Sequence, residues 1–273
     1  MHELSFPAGR RWLFLAPALT VFTAFWILPM AALLQVSAAG RGASYVAMVA
    51  SPRYLQSMLA TVGLSLAVTL ATVLLSTVAG LFLVRRRFAG RELLIATLTL
   101  PLAFPGVVVG FMVIMLAGRQ GLIGDLTLAL TGSRSVFAYS MAGLFMGYLY
   151  FSIPRVILTV MAAAEKLDGQ LEEAARSLGA SPWQIVRDVL LPALRPALIA
   201  SASMCFATSI GAFGTAFTLA TDIDVLPMTI YNEFTLNANM TMAAALSIVL
   251  GLVTWGVLTL SHVLGGDAAA ASA

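Results

Sequence analysis

Six apolar stretches dominate this chain, at about 12–37, 59–84, 93–117, 136–163, 193–220 and 241–264. Each is long enough to cross a bilayer, because a hydrocarbon core of about 30 Å takes roughly 20 apolar residues of helix. Inside lipid every backbone N–H and C=O must find a partner within the protein, which leaves helices or closed barrels. Runs of this length select helices. Hydrophobic residues make up 60% of the chain and charged ones only 10%, where a soluble domain carries about a quarter charged. The expected fold class is an all-α integral membrane protein with six transmembrane helices. In 273 residues these spans and their loops leave no room for a soluble catalytic domain, so residues 1–273 are read as one membrane domain.

The charges orient the spans, since short cytoplasmic loops are enriched in Lys and Arg. With the N-terminus inside, the cytoplasmic side holds Arg10, Arg11, Arg85, Arg86, Arg87, Arg91, Arg155, Lys166, Arg176, Arg187 and Arg195. The outer side holds only Arg41, Arg53, Arg119 and Arg134. Both termini are therefore expected in the cytoplasm. Arg10 and Arg11 before an apolar run resemble a signal sequence, but Trp12 to Val36 outruns a typical signal core, and a retained first span is expected. Ser152-Ile153-Pro154-Arg155 predicts a break in the fourth span, because proline removes a helical hydrogen bond. Cys205 lies in an apolar run and reads as a packed small residue. His2 and His262 have no Cys or His at ligand spacing, so no metal site is expected.

The loop between the fourth and fifth stretches is polar but patterned. Asp168 suits a helix start. Leu171, Ala174, Ala175 and Leu178 fall at i, i+3, i+4 and i+7, a single apolar stripe. Glu172 and Arg176 are spaced for an i,i+4 pair. Gly179 supplies the residue that most easily takes a left-handed C-terminal cap. Ser181, Pro182 and Gln184 then write a capping box with proline at the first helical position. Trp183, Val186 and Leu190 give a second one-sided apolar face, and Pro192 ends that helix or bends the chain into the fifth span. Two short helices around a glycine bend are expected. A hairpin resting on the membrane surface would show the same caps and stripes.

Glu173-Ala174-Ala175, three residues, Gly179, nine residues, then Val189-Leu190-Leu191-Pro192 resembles the EAA loop of binding-protein-dependent ABC importer permeases. That family's pattern is Glu-Ala-Ala, x3, Gly, x9, Ile-x-Leu-Pro. Only Val189 departs from it, by one methylene. The resemblance extends to the number and orientation of spans. It implies the type I importer permease (MetI-like) fold, with residues 164–192 as a coupling loop inside the permease domain. Glu173, Ala174, Ala175, Gly179, Val189, Leu191 and Pro192 would contact the ATPase. The implied partners are ABC ATPase subunits, a second and non-identical permease subunit, an extracytoplasmic solute-binding protein and the lipid bilayer of a bacterial inner membrane. No nucleic-acid partner is expected. No cofactor is expected on this chain, while ATP and Mg would sit on the partner ATPase.

Leu100-Pro101-Leu102-Ala103-Phe104-Pro105-Gly106 places two prolines in the third stretch. Their freed backbone groups need neighbours or a water-lined cavity. Gly211-Ala212-Phe213-Gly214 closes the fifth and resembles the gate region of the sulfate, ferric-ion, polyamine and aminoethylphosphonate permeases. Pro101, Pro105, Phe213 and Gly214 are the candidate pathway residues. Gly106 and Gly110 read first as a small-xxx-small packing pair. Asp222, Asp224 and Glu233 make the last outer loop acidic, which would attract a cation. Asn239-Met240-Thr241 fits a glycosylation sequon at a span edge. The substrate implied is a small polar solute such as a polyamine or aminoethylphosphonate. The chain lacks a Gly-Lys-Ser/Thr phosphate loop, so it is expected not to be an enzyme. The alternative is an ion-gradient-driven secondary transporter, which predicts broken helices and intramembrane acids.

Overall fold

The computed structural model describes residues 8–219 and 223–270, and all regular structure among them is helical. His2 and Asp222 lie outside the described residues. Six helical stretches are long and apolar enough to cross a membrane: Leu15–Ala38, Pro52–Arg85, Gly106–Thr131, Met141–Ala164, Pro182–Ile210 and Met240–Ser261. The chain divides into two compact units, one of the stretch up to Pro52 with Ile230–Val249, the other of Arg53–Thr229 with the chain from Leu250 onward.

The first unit opens with α1 (Ala8–Phe22), a π-helical turn (Thr23–Ile27) and α2 (Leu28–Ala38). None of the apolar window of Leu15–Ala38 is buried in the subunit. A left-handed Gly42 (φ 83°) then starts α3 (Ala43–Ala50), and Tyr45 Oη donates to Ser37 Oγ at 3.0 Å.

In the second unit, α4 (Pro52–Arg85) is the long spine. After it come α5 (Arg91–Thr99), a 3-10 turn (Leu100–Ala103), α6 (Gly106–Ala117) and α7 (Leu122–Thr131). Next are α8 (Met141–Ala164), α9 (Gly169–Ser177), α10 (Pro182–Gln184), a π-helical turn (Ile185–Leu190), α11 (Leu191–Ile210) and α12 (Phe213–Leu219). Helices α13 (Leu226–Thr235) and α14 (Met240–Ala270) each contribute residues to both units.

Four expectations change. The third stretch is broken at Phe104 and Pro105, whose backbones are extended at ψ 129° and 150°. The 12 residues of α6 span only about 18 Å, so α6 needs α5 or α7 to complete a crossing. The chain turns at Gly118–Gly121 before α7, where Asp125 accepts from Arg134 at 2.7 Å. The fourth stretch is not broken: α8 runs through Pro154. One proline forfeits a single N–H, and α4 packs over that turn, with Ser76 Oγ donating to the Ile153 carbonyl at 3.3 Å. Arg155 therefore sits inside a span, although removing it from the cytoplasmic tally leaves the charge bias intact. Pro192 does not end its helix: the chain is helical from Pro182 to Ile210, with a π-helical turn just before the proline. Both π-helical turns end two residues before a proline, Pro29 and Pro192. Finally, Glu233 is no loop residue. It lies in α13, 2% exposed, accepting from Asn237 Nδ2 at 2.9 Å.

The packing combines a buried apolar core, with Val68, Leu144 and Ile210 in it, and an equally apolar exterior. Large apolar side chains such as Leu74, Val78, Leu93 and Trp255 point outward, as lipid allows. Small and hydroxylated ones point inward. Along α4, Ser57, Thr61, Ser65, Thr69, Thr72 and Ser76 are buried. Ser57 Oγ lies 2.7 Å from Thr229 Oγ1, and the Leu226 N–H donates to Thr61 Oγ1 at 2.7 Å. A Cβ on Gly80 would meet Val160 at 2.9 Å. A Cβ on Gly110 would meet Thr218 at 2.6 Å, and one on Gly147 would meet Thr215 at 2.7 Å. Gly110→Ala should thus destabilise the subunit by about 1–3 kcal/mol. Thr72 Oγ1 is buried without a hydrogen-bond partner, so Thr72→Val should be neutral or stabilising. Thermal unfolding of the detergent-solubilised protein separates the two, and equal melting shifts would contradict this packing.

Candidate functional site

Two places concentrate the sequence signals. The first is the loop from Asp168 to Pro192. Asp168 caps α9 by accepting the Gln170 N–H at 2.9 Å. The helix closes at Gly179 (φ 84°), where the Ala180 N–H reaches the Ala175 carbonyl at 3.1 Å and the Gly179 N–H reaches the Arg176 carbonyl at 2.9 Å. These bonds satisfy carbonyls that a helix end otherwise orphans. The Ser181–Gln184 capping box forms in both directions, with Pro182 at the first helical position. From there the chain is helical without interruption to Ile210.

The apolar stripe on this loop faces away from the subunit. Leu171 is 54% exposed, Leu178 89% and Trp183 68%. Glu173 and Ala174 are exposed, Ala175 half-buried. In the distal part Pro192 is exposed, while Val189 and Leu191 are half-buried above the buried Ile185 and Leu190. Besides that apolar burial, an ion pair holds the loop. Glu172, 12% exposed, forms an ion pair with Arg85 at the end of α4. The i,i+4 partner offered by sequence, Arg176, lies farther off at 3.9 Å. Sequence spacing thus finds the weaker of the two pairs. Beside this bridge a cavity of about 690 Å3 lies between α4 and the loop, lined by Phe82, Arg86, Ala180 and Val186 among others.

The second place is where two broken helices meet. The start of α12 packs on the start of α6, with Thr215 Oγ1 donating to the Gly106 carbonyl at 2.9 Å. Tyr148 Oη donates to the Ala212 carbonyl, freed by the break after α11, at 2.6 Å. Gly106 and Gly214 have no room for a Cβ without displacing neighbours: the nearest atoms would be Thr215 Oγ1 at 3.1 Å and the Val107 nitrogen at 3.2 Å. A cavity of about 310 Å3 opens here. Of the four candidate pathway residues, Pro101 and Gly214 line it. Pro105 is the N-cap of α6, and Phe213 begins α12, its ring tilted against that of Phe217 with centroids 5.3 Å apart. Arg155 also lines this cavity. Sequence reasoning missed it by assigning it to a loop, because Pro154 reads as a stop. Asn239, the sequon residue, caps α14 by accepting the Met242 N–H at 3.1 Å.

Comparison with known proteins places these features. Residues 72–265 match the family described as binding-protein-dependent transport system inner membrane component, and the chain belongs to it. The protein is thus a multi-pass inner-membrane permease of a binding-protein-dependent ABC importer, in which the ATPase is a separate subunit. This sets aside the secondary transporter, even though the structure does contain broken helices. The chain is 37% identical over 164 residues to the molybdenum transport system permease protein ModB of Escherichia coli (strain K12), covering 59% of this chain and 71% of that protein. It is 31% identical over 197 residues to a probable sulfate transport system permease protein of Nephroselmis olivacea, covering 72% and 68%. It is 29% identical over 265 residues to a putative 2-aminoethylphosphonate transport system permease protein of Salmonella typhi, covering 89% and 92%. Among solved structures it resembles a bacterial alginate ABC transporter in complex with its periplasmic protein (TM-score 0.80, 19% identity, 93% of this chain and 94% of that one). It also resembles the MetNI methionine ABC transporter (TM-score 0.56, 18% identity, 80% and 99%). The fold is that of the MetI-like importer permeases.

Two outcomes follow for the loop. At Gly179 there is open space but a left-handed backbone, so Gly179→Asp adds about 1 kcal/mol of strain and a misplaced charge. Uptake should be abolished while the protein still inserts in the membrane, which uptake assays alongside membrane immunoblots will check. Glu172→Arg should lower substrate-coupled ATP hydrolysis several-fold, consistent with loss of about 1 kcal/mol for a half-exposed pair. The swap Arg85→Glu with Glu172→Arg should restore half or more of that activity.

Proposed function

We propose that this chain, paired with a second and non-identical permease subunit, forms the translocation pathway of a bacterial importer for a small tetrahedral oxyanion. Both termini lie in the cytoplasm, and the Asp168–Pro192 loop docks on the ATPase. The observation that carries the coupling role is the outward-facing apolar stripe Leu171, Leu178 and Trp183 on a doubly capped loop. Burying such side chains against another protein is favourable, and the loop is braced by the Arg85–Glu172 pair rather than by its own apolar face. Glu173, Ala174, Ala175 and Gly179 supply a polar anchor, close approach and the bend. Val189, Leu191 and Pro192 join the docking helix to α11. ATP and Mg bind the partner ATPase, and this chain binds no cofactor.

The substrate class rests on the relatives' names. Molybdate, sulfate and a phosphonate share a tetrahedral oxyanion. A polyamine is less favoured: Glu233 is buried in α13 and so is lost from the acidic loop, while the cavity at the broken helices is lined by Arg155 and by no carboxylate. The test is reconstitution of the complete complex in proteoliposomes with its binding protein. Radiolabelled molybdate or sulfate should enter only with ATP inside, and uptake of labelled spermidine should stay at background. The reverse pattern overturns the substrate class.

A further inference from the structure

Arg155 is out of place for a residue that merely anchors topology. It lies nine residues before the end of α8, about 13 Å along the helix axis. Among the described residues no carboxylate pairs with it. Ionisable residues within spans almost always face the bundle interior or a water-filled space, and they mark substrate paths. Arg155 faces the cavity of about 310 Å3 that Pro101, Gly106, Val107, Thr208, Gly214 and it line in part. That volume is about ten times the share of one water molecule in the liquid, room for a tetrahedral oxyanion with part of its hydration shell. No Asp or Glu lines it.

The rest of the lining suits the same charge. Gly106 and Val107 open the first turn of α6, where helical N–H groups have no partner within the helix and the helix dipole favours an anion. The 12 residues of α6 are enough to sustain that dipole. The Pro105 break aims this turn at the cavity instead of continuing α5. A guanidinium presents two parallel N–H groups that match a pair of oxyanion oxygens.

Resting on the oxyanion reading above, we propose that Arg155 is the binding group of the translocation pathway: it holds the oxyanion at the junction of the two broken helices, between release by the binding protein and exit to the other side. A single cation facing partial positive charges on backbone N–H groups binds weakly enough for the anion to leave again, which transport requires.

The test uses the full complex. Equilibrium dialysis of labelled molybdate and sulfate against the permease–ATPase complex without its binding protein should show saturable occupancy. Arg155→Gln should remove that occupancy and lower ATP-driven uptake at least tenfold, with the complex still eluting as one assembled species. Arg155→Lys, which keeps the charge but loses the fork, should retain uptake with a raised half-saturating concentration of loaded binding protein. Wild-type occupancy and uptake in Arg155→Gln would overturn the role of Arg155 and leave the substrate class standing. Uptake of neither oxyanion by the wild-type complex would overturn both. If Arg155→Gln does not assemble, Arg155→Lys decides: unaltered dialysis and uptake would overturn the proposal, and weakened occupancy with retained assembly would support it.

Discussion

Close approach of helices through small and hydroxylated side chains is the constraint on which the second unit rests. Lipid is as apolar as leucine, so burying large side chains between helices gains little in a membrane, and association falls to packing and interhelical hydrogen bonds. The spine helix α4 meets this with Ser57, Thr61, Ser65, Thr69, Thr72 and Ser76 on its inward side. It bonds to α13 through Ser57 and Thr61 and to α8 through Ser76. The same logic sets α6, α8 and α12 together through Gly106, Gly110 and Gly147 against the threonines Thr215 and Thr218, and through Gly214 against Val107. Threonine does double duty here: its methyl fills the space that glycine leaves, and its hydroxyl takes up a backbone carbonyl.

That second role matters because this is where the helices break. A break within lipid exposes backbone groups that only protein or an enclosed polar cavity can satisfy. The Gly106 carbonyl is met by Thr215 and the Ala212 carbonyl by Tyr148. The two discontinuities solve each other's problem by sharing one neighbourhood, and the polar cavity is a consequence of the same arrangement. Prolines elsewhere are handled differently. Pro154 is absorbed in a continuous α8, and Pro29 and Pro192 follow π-helical turns.

How much of this could be read from the sequence follows from the range of the interactions. The loop was legible nearly in full, since caps, stripes and the glycine bend are set within a few residues of chain. Asp168, Gly179 and the Ser181–Gln184 box all behave as their spacing predicts. The six apolar runs were legible because bilayer thickness imposes their length. What failed was the reading of prolines, because a proline within a packed span need not stop the helix, and the packing against Pro154 comes from α4, 77 residues away in sequence. The pairing of Glu172 with Arg85 was hidden for the same reason. Glu233 looked like a loop residue because it stands in a short polar stretch, and only the fold shows that α13 buries it. The Ser/Thr side of α4 was in plain view as a repeat at helical spacing, but it carries no hydropathy signal, and a search for small residues at i and i+4 would have found it.

The two sites are joined by covalent geometry as well as packing. From Pro182 to Ile210 the chain is helical for 29 residues, roughly 44 Å along the axis, beginning at the Asp168–Pro192 loop and ending at the Gly211 break beside the cavity. Under the docking role proposed above, a displacement of the loop would be carried along α11 to the start of α12, and from there through the contact of Thr215 with Gly106 to α6. Two irregularities lie in this helix: the π-helical turn at Ile185–Leu190 just before the motif's Pro192, and Pro196 inside α11. The helix stays continuous through Pro192 and Pro196, as α8 does through Pro154. If the loop docks as proposed above, that continuity is what would let the helix hand a movement of the loop to the cavity rather than absorb it at a break.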